Sequence, residues 1–263
     1  MKADTRTVIV HYHIYKNSGT SFDHVLSHSF GEKHELFDGP YPFFRIDQTE
    51  LDRIIIRRPH AVAFSSHQTM LPQPASLDYR VLAAVFIRHP ILRIGSIYRF
   101  KRESFDGTMT SRAAIDMDFS GWLSHCFEDR QEITHISNAQ TRILGAVYGQ
   151  IPLMRRRPER MEYDLDVARR NLANVELLGR TEHFEKDVSQ FRDVVSDYGL
   201  ELSLPDDLRQ NTTQSATQSV EERLASLLDP LPGRLRRQLM DANQQDLALY
   251  EFSENCIEKR ALS

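Results

Sequence analysis

Segments of strand length alternate along this chain with longer segments of helical periodicity. Thr7 to Ile14, Ala61 to Ser65 and Leu82 to Ile87 are strand-like, and each is followed by polar residues. Such segments are typical of buried parallel strands whose carboxyl ends open onto a site. A further short strand is predicted at Val175 to Leu178. The alternation predicts an α/β fold with a central parallel sheet flanked by helices.

Helical spacing of apolar residues marks most of the remaining chain. The predicted helices are Phe22 to Phe30, Leu51 to Ile56, Pro90 to about Arg102, Ala113 to Phe127, Asn138 to Val147, Asp164 to Leu172, Glu185 to Tyr198 and Pro232 to Glu251. Ser104 to Ser111 and Leu204 to Ala216 are predicted as loops. No linker divides the chain convincingly, so we expect a single domain over residues 1–263.

Charge and composition exclude several classes of protein. Lys and Arg number 33 against 37 Asp and Glu, a net charge of −4, which argues against a nucleic-acid binder. Cys126 and Cys256 form no CxxC pattern, so neither a disulfide framework nor a cysteine zinc site is expected. The apolar runs are too short for a membrane span or a signal-peptide core, and we expect a cytoplasmic protein. The sequence does not fix the oligomeric state.

A polar, glycine-containing loop, Lys16 to Ser21, joins the first predicted strand to the first predicted helix. The free N–H groups at a helix start bind anions, and Lys16 adds a mobile positive charge. Gly19 would let the backbone curl close to an anion, and Thr20 and Ser21 could cap the helix and donate hydroxyls. The alternative is an ordinary Asn-Ser-Gly turn before an N-cap. The general GxxxxGK[ST] pattern is absent, which disfavours an ordinary ATPase or GTPase.

A second segment, Val85 to Tyr98, combines a strand, an Arg at its carboxyl end and a helix that starts at a proline. Arg88 is expected at the open edge of the sheet. Ser96 follows it by eight residues, about two helical turns.

Taken together, the Lys16 to Ser21 loop, Arg88 and Ser96 resemble the sulfotransferases that use 3′-phosphoadenosine 5′-phosphosulfate (PAPS). The loop is similar to the K-T-G-G-T-S of the carbohydrate (Golgi-type) branch. Four further segments resemble that branch: 13–16 (HIYK), 138–142 (NAQTR), 178–184 (LGRTEHF) and 246–250 (DLALY). The chain departs from the pattern at Tyr15, where Pro is usual, at Asn17-Ser18, where Thr-Gly is usual, and at His89, where Asp is usual.

The resemblance implies a P-loop NTPase-like sulfotransferase fold and transfer of a sulfuryl group from PAPS without a metal. The acceptor would be a hydroxyl or an amine, on a carbohydrate or glycosylated small molecule. The implied PAPS-binding residues are those of a phosphosulfate loop at 15–22 (Lys16, Asn17, Ser18, Gly19, Thr20, Ser21) and of a 3′-phosphate motif at 85–98 (Arg88, Ser96). Lys16 would also be catalytic, by stabilising the leaving phosphate. Asn211, Thr212 and Thr213 would close over the nucleotide, or form an ordinary surface turn.

An acceptor hydroxyl also needs a base, and His67 is the predicted one. It follows a strand whose carboxyl end should face the same crevice, and it would contact the acceptor. A structural, hydrogen-bonded histidine is the alternative, with Glu103 and Asp106 as other candidate bases.

Arg142 and a histidine pair have two interpretations each. Arg142 would reach cofactor or acceptor, or form a structural salt bridge. His11 and His13 lie two apart on a strand and therefore on one face of it. They could be metal ligands, or simply two residues of the strand. We favour the second, so no metal is expected.

Two other classes of function remain open. One is a nucleotide-dependent kinase of similar design, and the other is a nucleotide-binding protein without catalysis. Stabilisation by adenosine 3′,5′-bisphosphate without metal would favour the sulfotransferase, and stabilisation only by Mg-ATP would favour the kinase.

Overall fold

Parallel strands form one central sheet in the computed structural model, which describes residues 5–40, 44–147, 162–206 and 218–261. The strands within these ranges are β1 (Arg6–Tyr12), β2 (His34–Leu36), β3 (Ala63–Ser66), β4 (Tyr79–Ile87) and β5 (Leu177–Arg180). Their order is β2-β3-β1-β4-β5, and every neighbouring pair is parallel. The predicted α/β fold is confirmed, with β1 at the centre between β3 and β4.

Helices connect the strands and close the chain. Those in the described ranges are α1 (Gly19–Phe30), α2 (Gln48–Arg57), α3 (Pro90–Glu103), α4 (Met109–Asp116), α5 (Phe119–Glu128), α6 (Ile133–Ile136), α7 (Ala139–Leu144), α8 (Leu165–Ala173), α9 (Phe184–Ser196), α10 (Val220–Leu228), α11 (Gly233–Asp241) and α12 (Gln244–Ala261). None of these helices is both long and apolar enough to cross a membrane.

Both faces of the sheet are covered, because successive strand residues point to opposite sides. Val8 and Val10 of β1 pack in a core that includes residues of α2, α8 and α12. Ile9, between them, packs on the other face with residues of α1 and α9. A third apolar cluster, around Trp122, joins α3 to α4, α5, α6 and α11. The sheet is therefore flanked by helices on both faces, as predicted.

The structure divides two segments that the sequence predicted as single helices. Ala113 to Phe127 is broken because Met117 is extended and Asp118 starts α5, accepting the Gly121 N–H at 2.8 Å. Pro232 to Glu251 is broken between α11 and α12, where the buried Asn243 donates to the Ile136 carbonyl at 2.8 Å. In both places the helix ends near a polar side chain that forms a hydrogen bond with a backbone group of another segment.

Three smaller differences concern short elements. The predicted loop 104–111 ends early, because Thr108 caps α4 by accepting the Ser111 N–H at 3.1 Å. The helix predicted over 138–147 is confined to α7. The sequence reasoning missed β2 and α10, although Ser219 and Glu222 form the capping box that starts α10. The two cysteines are free thiols, as expected.

Candidate active site

The loop after β1 turns sharply into α1 at the carboxyl edge of the sheet. Lys16 has a φ of 65° and Ser18 a φ of 59°, both in the left-handed region that non-glycine residues rarely adopt. The Asn17 N–H between them donates to the Ile14 carbonyl at 3.1 Å. The first N–H groups of α1, from Gly19 onward, lack helical partners and carry the positive end of the helix dipole. This geometry suits an anion.

Two expectations about this loop are wrong in detail. Ser18 occupies the N-cap position without a side-chain hydrogen bond, so Thr20 and Ser21 lie inside the first turn and do not cap α1. The chain curls at Lys16 and Ser18, not at Gly19. A β-carbon on Gly19 would instead overlap the imidazole ring of His13, so a larger residue there would force that ring to move.

Two buried arginines of the second motif hold the carbonyl groups of this loop. Arg88, directly after β4, donates from Nη1 to the Lys16 carbonyl at 2.8 Å. Arg93 of α3 donates from Nε to the Tyr15 carbonyl at 3.0 Å and from Nη1 to the His135 carbonyl at 2.8 Å. The two motifs therefore meet, and the second fixes the path of the first.

Gln140 of α7 links the same two motifs through its side-chain amide. Its Oε1 accepts from Asn17 Nδ2 at 2.6 Å and from the Arg88 N–H at 3.0 Å. Its Nε2 donates to the Arg88 carbonyl at 2.8 Å. Asn17 is buried and also donates to the Phe86 carbonyl at 2.8 Å, so its side-chain amide supports the loop. The NAQTR segment resembles the family pattern, but nothing in its local sequence indicates that Gln140 supports the loop.

Asp246 of α12 in turn holds the start of α7. Its carboxylate accepts from the N–H groups of Gln140 and Thr141 at 3.0 and 2.7 Å and from the Thr141 hydroxyl at 2.7 Å. Asn138, with a φ of 44°, accepts the Asp246 N–H at 3.2 Å. The segments NAQTR and DLALY are therefore in contact, and together they support the loop.

The Arg88 guanidinium lies beside the fully buried carboxylate of Glu182, with 3.9 Å between Nε and Oε1. Burial lowers the pKa of Arg88 to about 10. The negative charge of Glu182 acts to raise this pKa, and the positive charges of Arg223 and Arg99 lower it further. Burial raises the pKa of Glu182, opposed by Arg88. Arg99 of α3 and Arg223 of α10 are further cations near this end of the sheet, and the sequence analysis did not single them out.

Lys16 is half-buried, and its Nζ lies 4.3 Å from the centroid of the Phe100 ring. Burial lowers the pKa of Lys16, and the charge of Arg88 lowers it further. Ser96 is half-buried on α3.

His67 follows β3 at the same edge of the sheet. The residue is exposed, but its ring packs against His13, with 3.8 Å between ring centroids. Its Nδ1 donates to the His13 carbonyl at 3.2 Å, and its backbone N–H donates to Asp38 at 3.0 Å. Burial of the ring and the neighbouring His13 lower the pKa of His67, which favours a neutral imidazole near pH 7.

His11, His13 and Asp23 offer ligand atoms that lie within 4.8 Å of one another. Asp23 accepts from His11 Nδ1 at 2.7 Å and from His13 Nδ1 at 3.0 Å. These are hydrogen-bond distances, so the contact between the three groups is accounted for without an ion.

The remaining candidates from the sequence are Arg142, Asp106, Glu103 and residues 211–213. The Arg142 guanidinium is 4.4 Å from the centroid of the Tyr163 ring. Both interpretations of Arg142, a ligand contact and a structural salt bridge, stay predictions. Asp106 is tied to Thr108 by hydrogen bonds, which lower its pKa. Glu103 is exposed at the end of α3 and acts electrostatically on Lys16. Asn211, Thr212 and Thr213 lie outside the described residues.

A cavity of about 240 Å³ lies away from these groups, between the start of α2, the segment after β3, and α8. Its lining includes Asp47, Met70 and Asn171 and none of the predicted site residues. It therefore adds nothing to the assignment of the site.

The fold and the loop define an α/β protein that can hold an anion at the start of its first helix, beside a second basic motif. The chain belongs to the sulfotransferase family, whose model matches residues 1–253. A protein of Archaeoglobus fulgidus, described only as uncharacterized, is 27% identical over 255 residues, which covers 94% of this chain and 95% of the relative. Membership of the family supports an enzyme that transfers sulfuryl groups.

Proposed function

We propose that this protein transfers the sulfuryl group of PAPS to an acceptor hydroxyl or amine. The observation that carries the proposal is the 2.8 Å hydrogen bond from Arg88 to the Lys16 carbonyl. It joins the two segments that would bind opposite ends of the nucleotide, the loop at the start of α1 and the Arg at the end of β4.

The residues present fit an anionic nucleotide. Arg88 Nε is buried and forms no hydrogen bond among the described residues. Glu182 Oε1 lies 3.9 Å from it, which is too far for a hydrogen bond, so this N–H can still donate to a ligand. The loop adds Lys16 and the free N–H groups of α1. We assign the 5′-phosphosulfate to the loop, through Lys16, the backbone of Asn17 and Ser18, and the first turn Gly19, Thr20 and Ser21. We assign the 3′-phosphate to Arg88 and Ser96.

Bound PAPS supplies an activated sulfuryl group, and adenosine 3′,5′-bisphosphate (PAP) is left after transfer. Lys16 places positive charge where negative charge develops on the leaving phosphate, and the helix amides do the same without reorganisation. No metal is needed in this proposal, because these groups neutralise the charge.

His67 accepts the acceptor's proton in this proposal. A carbonyl oxygen only accepts hydrogen bonds, so the contact with the His13 carbonyl places the proton of neutral His67 on Nδ1. The lone pair is then on Nε2. The lowered pKa keeps His67 unprotonated near neutral pH, as a general base requires.

The acceptor class remains a proposal from the resemblance to the carbohydrate branch: a carbohydrate or a glycosylated small molecule. Arg142 is proposed to contact it. Its guanidinium lies over Tyr163, and its Nε has no hydrogen-bond partner among the described residues. Asn211, Thr212 and Thr213 stay proposed as nucleotide contacts.

Thermal unfolding with PAP tests the nucleotide assignment, since a ligand that binds the native state raises its stability. We expect PAP to raise Tm without metal and Mg-ATP to have little effect. Stabilisation by Mg-ATP alone would favour a kinase and contradict the proposal.

Turnover is tested with radiolabelled PAPS and a panel of hydroxyl and amine acceptors. Lys16→Ala is expected to lose about 100- to 1,000-fold in kcat, the effect of removing one preorganised donor. Lys33→Ala, at an exposed lysine after α1, is the matched control and should keep full activity. Nearly full activity in Lys16→Ala would refute the assignment of Lys16.

A further inference from the structure

Three imidazole rings lie side by side at the carboxyl ends of β1 and β3, and we call them the imidazole column: His11, His13 and His67. The ring centroids are 5.1 Å apart between His11 and His13 and 3.8 Å apart between His13 and His67. The column runs from a fully buried ring, His11, to an exposed residue, His67. Asp23 of α1 is hydrogen-bonded to the two inner rings.

We propose that Asp23 and His13 are positioning residues for His67: the His13 carbonyl fixes which ring nitrogen of His67 is basic, and Asp23 holds the His13 ring and stabilises the protonated form of His67. The inference rests on the proposed function, because it concerns the base of that reaction. Neither Asp23 nor His13 was given this function by the sequence analysis.

The backbone of His13 fixes the orientation of His67. The His13 N–H donates to the Ser66 carbonyl at 3.0 Å, which holds the end of β1 against the end of β3. The His13 carbonyl then accepts from His67 Nδ1 at 3.2 Å. Because Ser66 and His67 are adjacent, the two hydrogen bonds form a closed link, and Nε2 of His67 is left as the basic atom.

The carboxylate of Asp23 fixes the ring of His13. Burial would raise the pKa of Asp23, but its hydrogen bonds to His11 and His13 outweigh burial and hold that pKa well below its usual range. Asp23 is therefore ionised and can only accept, so His13 Nδ1 carries a proton. On the other side, the ring lies against Gly19, where even a β-carbon would not fit. Held from both sides, His13 presents a fixed ring face to His67.

The charges around His67 come from three segments of the chain. Asp38, after β2, accepts the His67 N–H at 3.0 Å, and Asp23 of α1 acts through His13. Both carboxylates favour the protonated form of His67, whereas burial and the neighbouring His13 oppose it. The balance leaves His67 neutral before the reaction, while Asp23 and Asp38 stabilise the imidazolium that forms during it.

The test measures the tautomer and pKa of His67 directly, by nitrogen-15 NMR of histidine-labelled protein, with the resonances assigned by His67→Gln. We expect wild-type His67 to carry its proton on Nδ1 when neutral. In Asp23→Asn we expect a lower pKa of His67, because a negative charge has been removed, and an unchanged tautomer, because the His13 carbonyl still accepts from Nδ1. With an active acceptor, kcat should fall by up to about 100-fold and the acidic limb of the pH–rate profile should move to lower pH.

Two further variants separate positioning from loss of structure. Asp187→Asn removes another buried carboxylate, paired with Arg180 at 2.9 Å, and should leave the tautomer and pKa of His67 unchanged. Asp23→Glu keeps the charge and should restore most of the wild-type pKa of His67. It also serves if Asp23→Asn does not fold.

An unchanged pKa of His67 in Asp23→Asn would overturn the inference, and so would a neutral wild-type His67 that carries its proton on Nε2. So would stoichiometric zinc binding that displaces the Nδ1 protons of His11 and His13, since the cluster would then be a metal site. The NMR result does not depend on turnover. A wild-type protein that PAP does not stabilise would refute the proposed function while leaving the positioning of His67 open to this measurement.

Discussion

Replacing Arg93 tests whether the second motif holds the loop. In Arg93→Met, the carbonyl groups of Tyr15 and His135 lose donors at 3.0 and 2.8 Å. Arg93 is 2% exposed, so water cannot replace those donors freely. A buried acceptor left without a partner costs about 1–3 kcal/mol, and Met fills only part of the space. We expect the free energy of unfolding to fall by about 3 kcal/mol.

Urea unfolding followed by the fluorescence of Trp122 measures this loss, because that tryptophan is buried in the cluster that packs on α3. PAP affinity measured by calorimetry should fall at least about tenfold, since a loosened loop must be ordered when the ligand binds. Arg99→Met, at an exposed arginine of the same helix, should change stability by less than about 0.5 kcal/mol. Wild-type stability together with wild-type PAP affinity in Arg93→Met would refute the reasoning.

Three further changes have expected outcomes. Gly19→Ala makes a β-carbon overlap the His13 ring and should lower the free energy of unfolding by about 1–3 kcal/mol and weaken PAP binding. Gly233→Ala, whose nearest neighbour would be at 3.8 Å, should be neutral in the same calorimetric and urea measurements. Burial lowers the pKa of His11 from 6.5 to about 4, so the unfolded chain binds the proton more readily between these values. Stability should therefore fall by up to about 3 kcal/mol as the pH drops from about 6.5 to 4, and urea titrations of His11→Asn should lack that component. Asp246→Asn weakens three hydrogen bonds at 2.7 to 3.0 Å and should lower the free energy of unfolding by about 2–4 kcal/mol in the same assay. A loss below about 0.5 kcal/mol would show that α12 does not support the site.

The strands and the meeting of the two motifs were predictable because both depend on local pattern. β1 and β4 are apolar runs that end at polar residues, and the carboxyl ends of neighbouring parallel strands share one edge of the sheet. That rule alone places Arg88 near Lys16. By contrast, β2 has three half-buried or exposed residues and no apolar signal, and its pairing with β3 forms it.

The supporting contacts of the site were not predictable, because they pair polar residues that are far apart in sequence. Gln140 reaches back 123 residues to Asn17, and Asp246 reaches back 106 residues to Gln140. Nothing in the local sequence of a Gln or an Asp indicates such a partner. The constraint at Gly19 is similar, since it arises from the ring of His13 and not from the backbone angles of the glycine.

The connection from α12 through Asp246 and Gln140 to Asn17 has a consequence for biosynthesis. The loop leaves the ribosome first, whereas the carboxylate that completes its support emerges more than 200 residues later. A nascent chain arrested before α12 can form β1 and α1 but lacks that support. In the proposed function, nucleotide binding is therefore acquired only after α12 has been made and has docked.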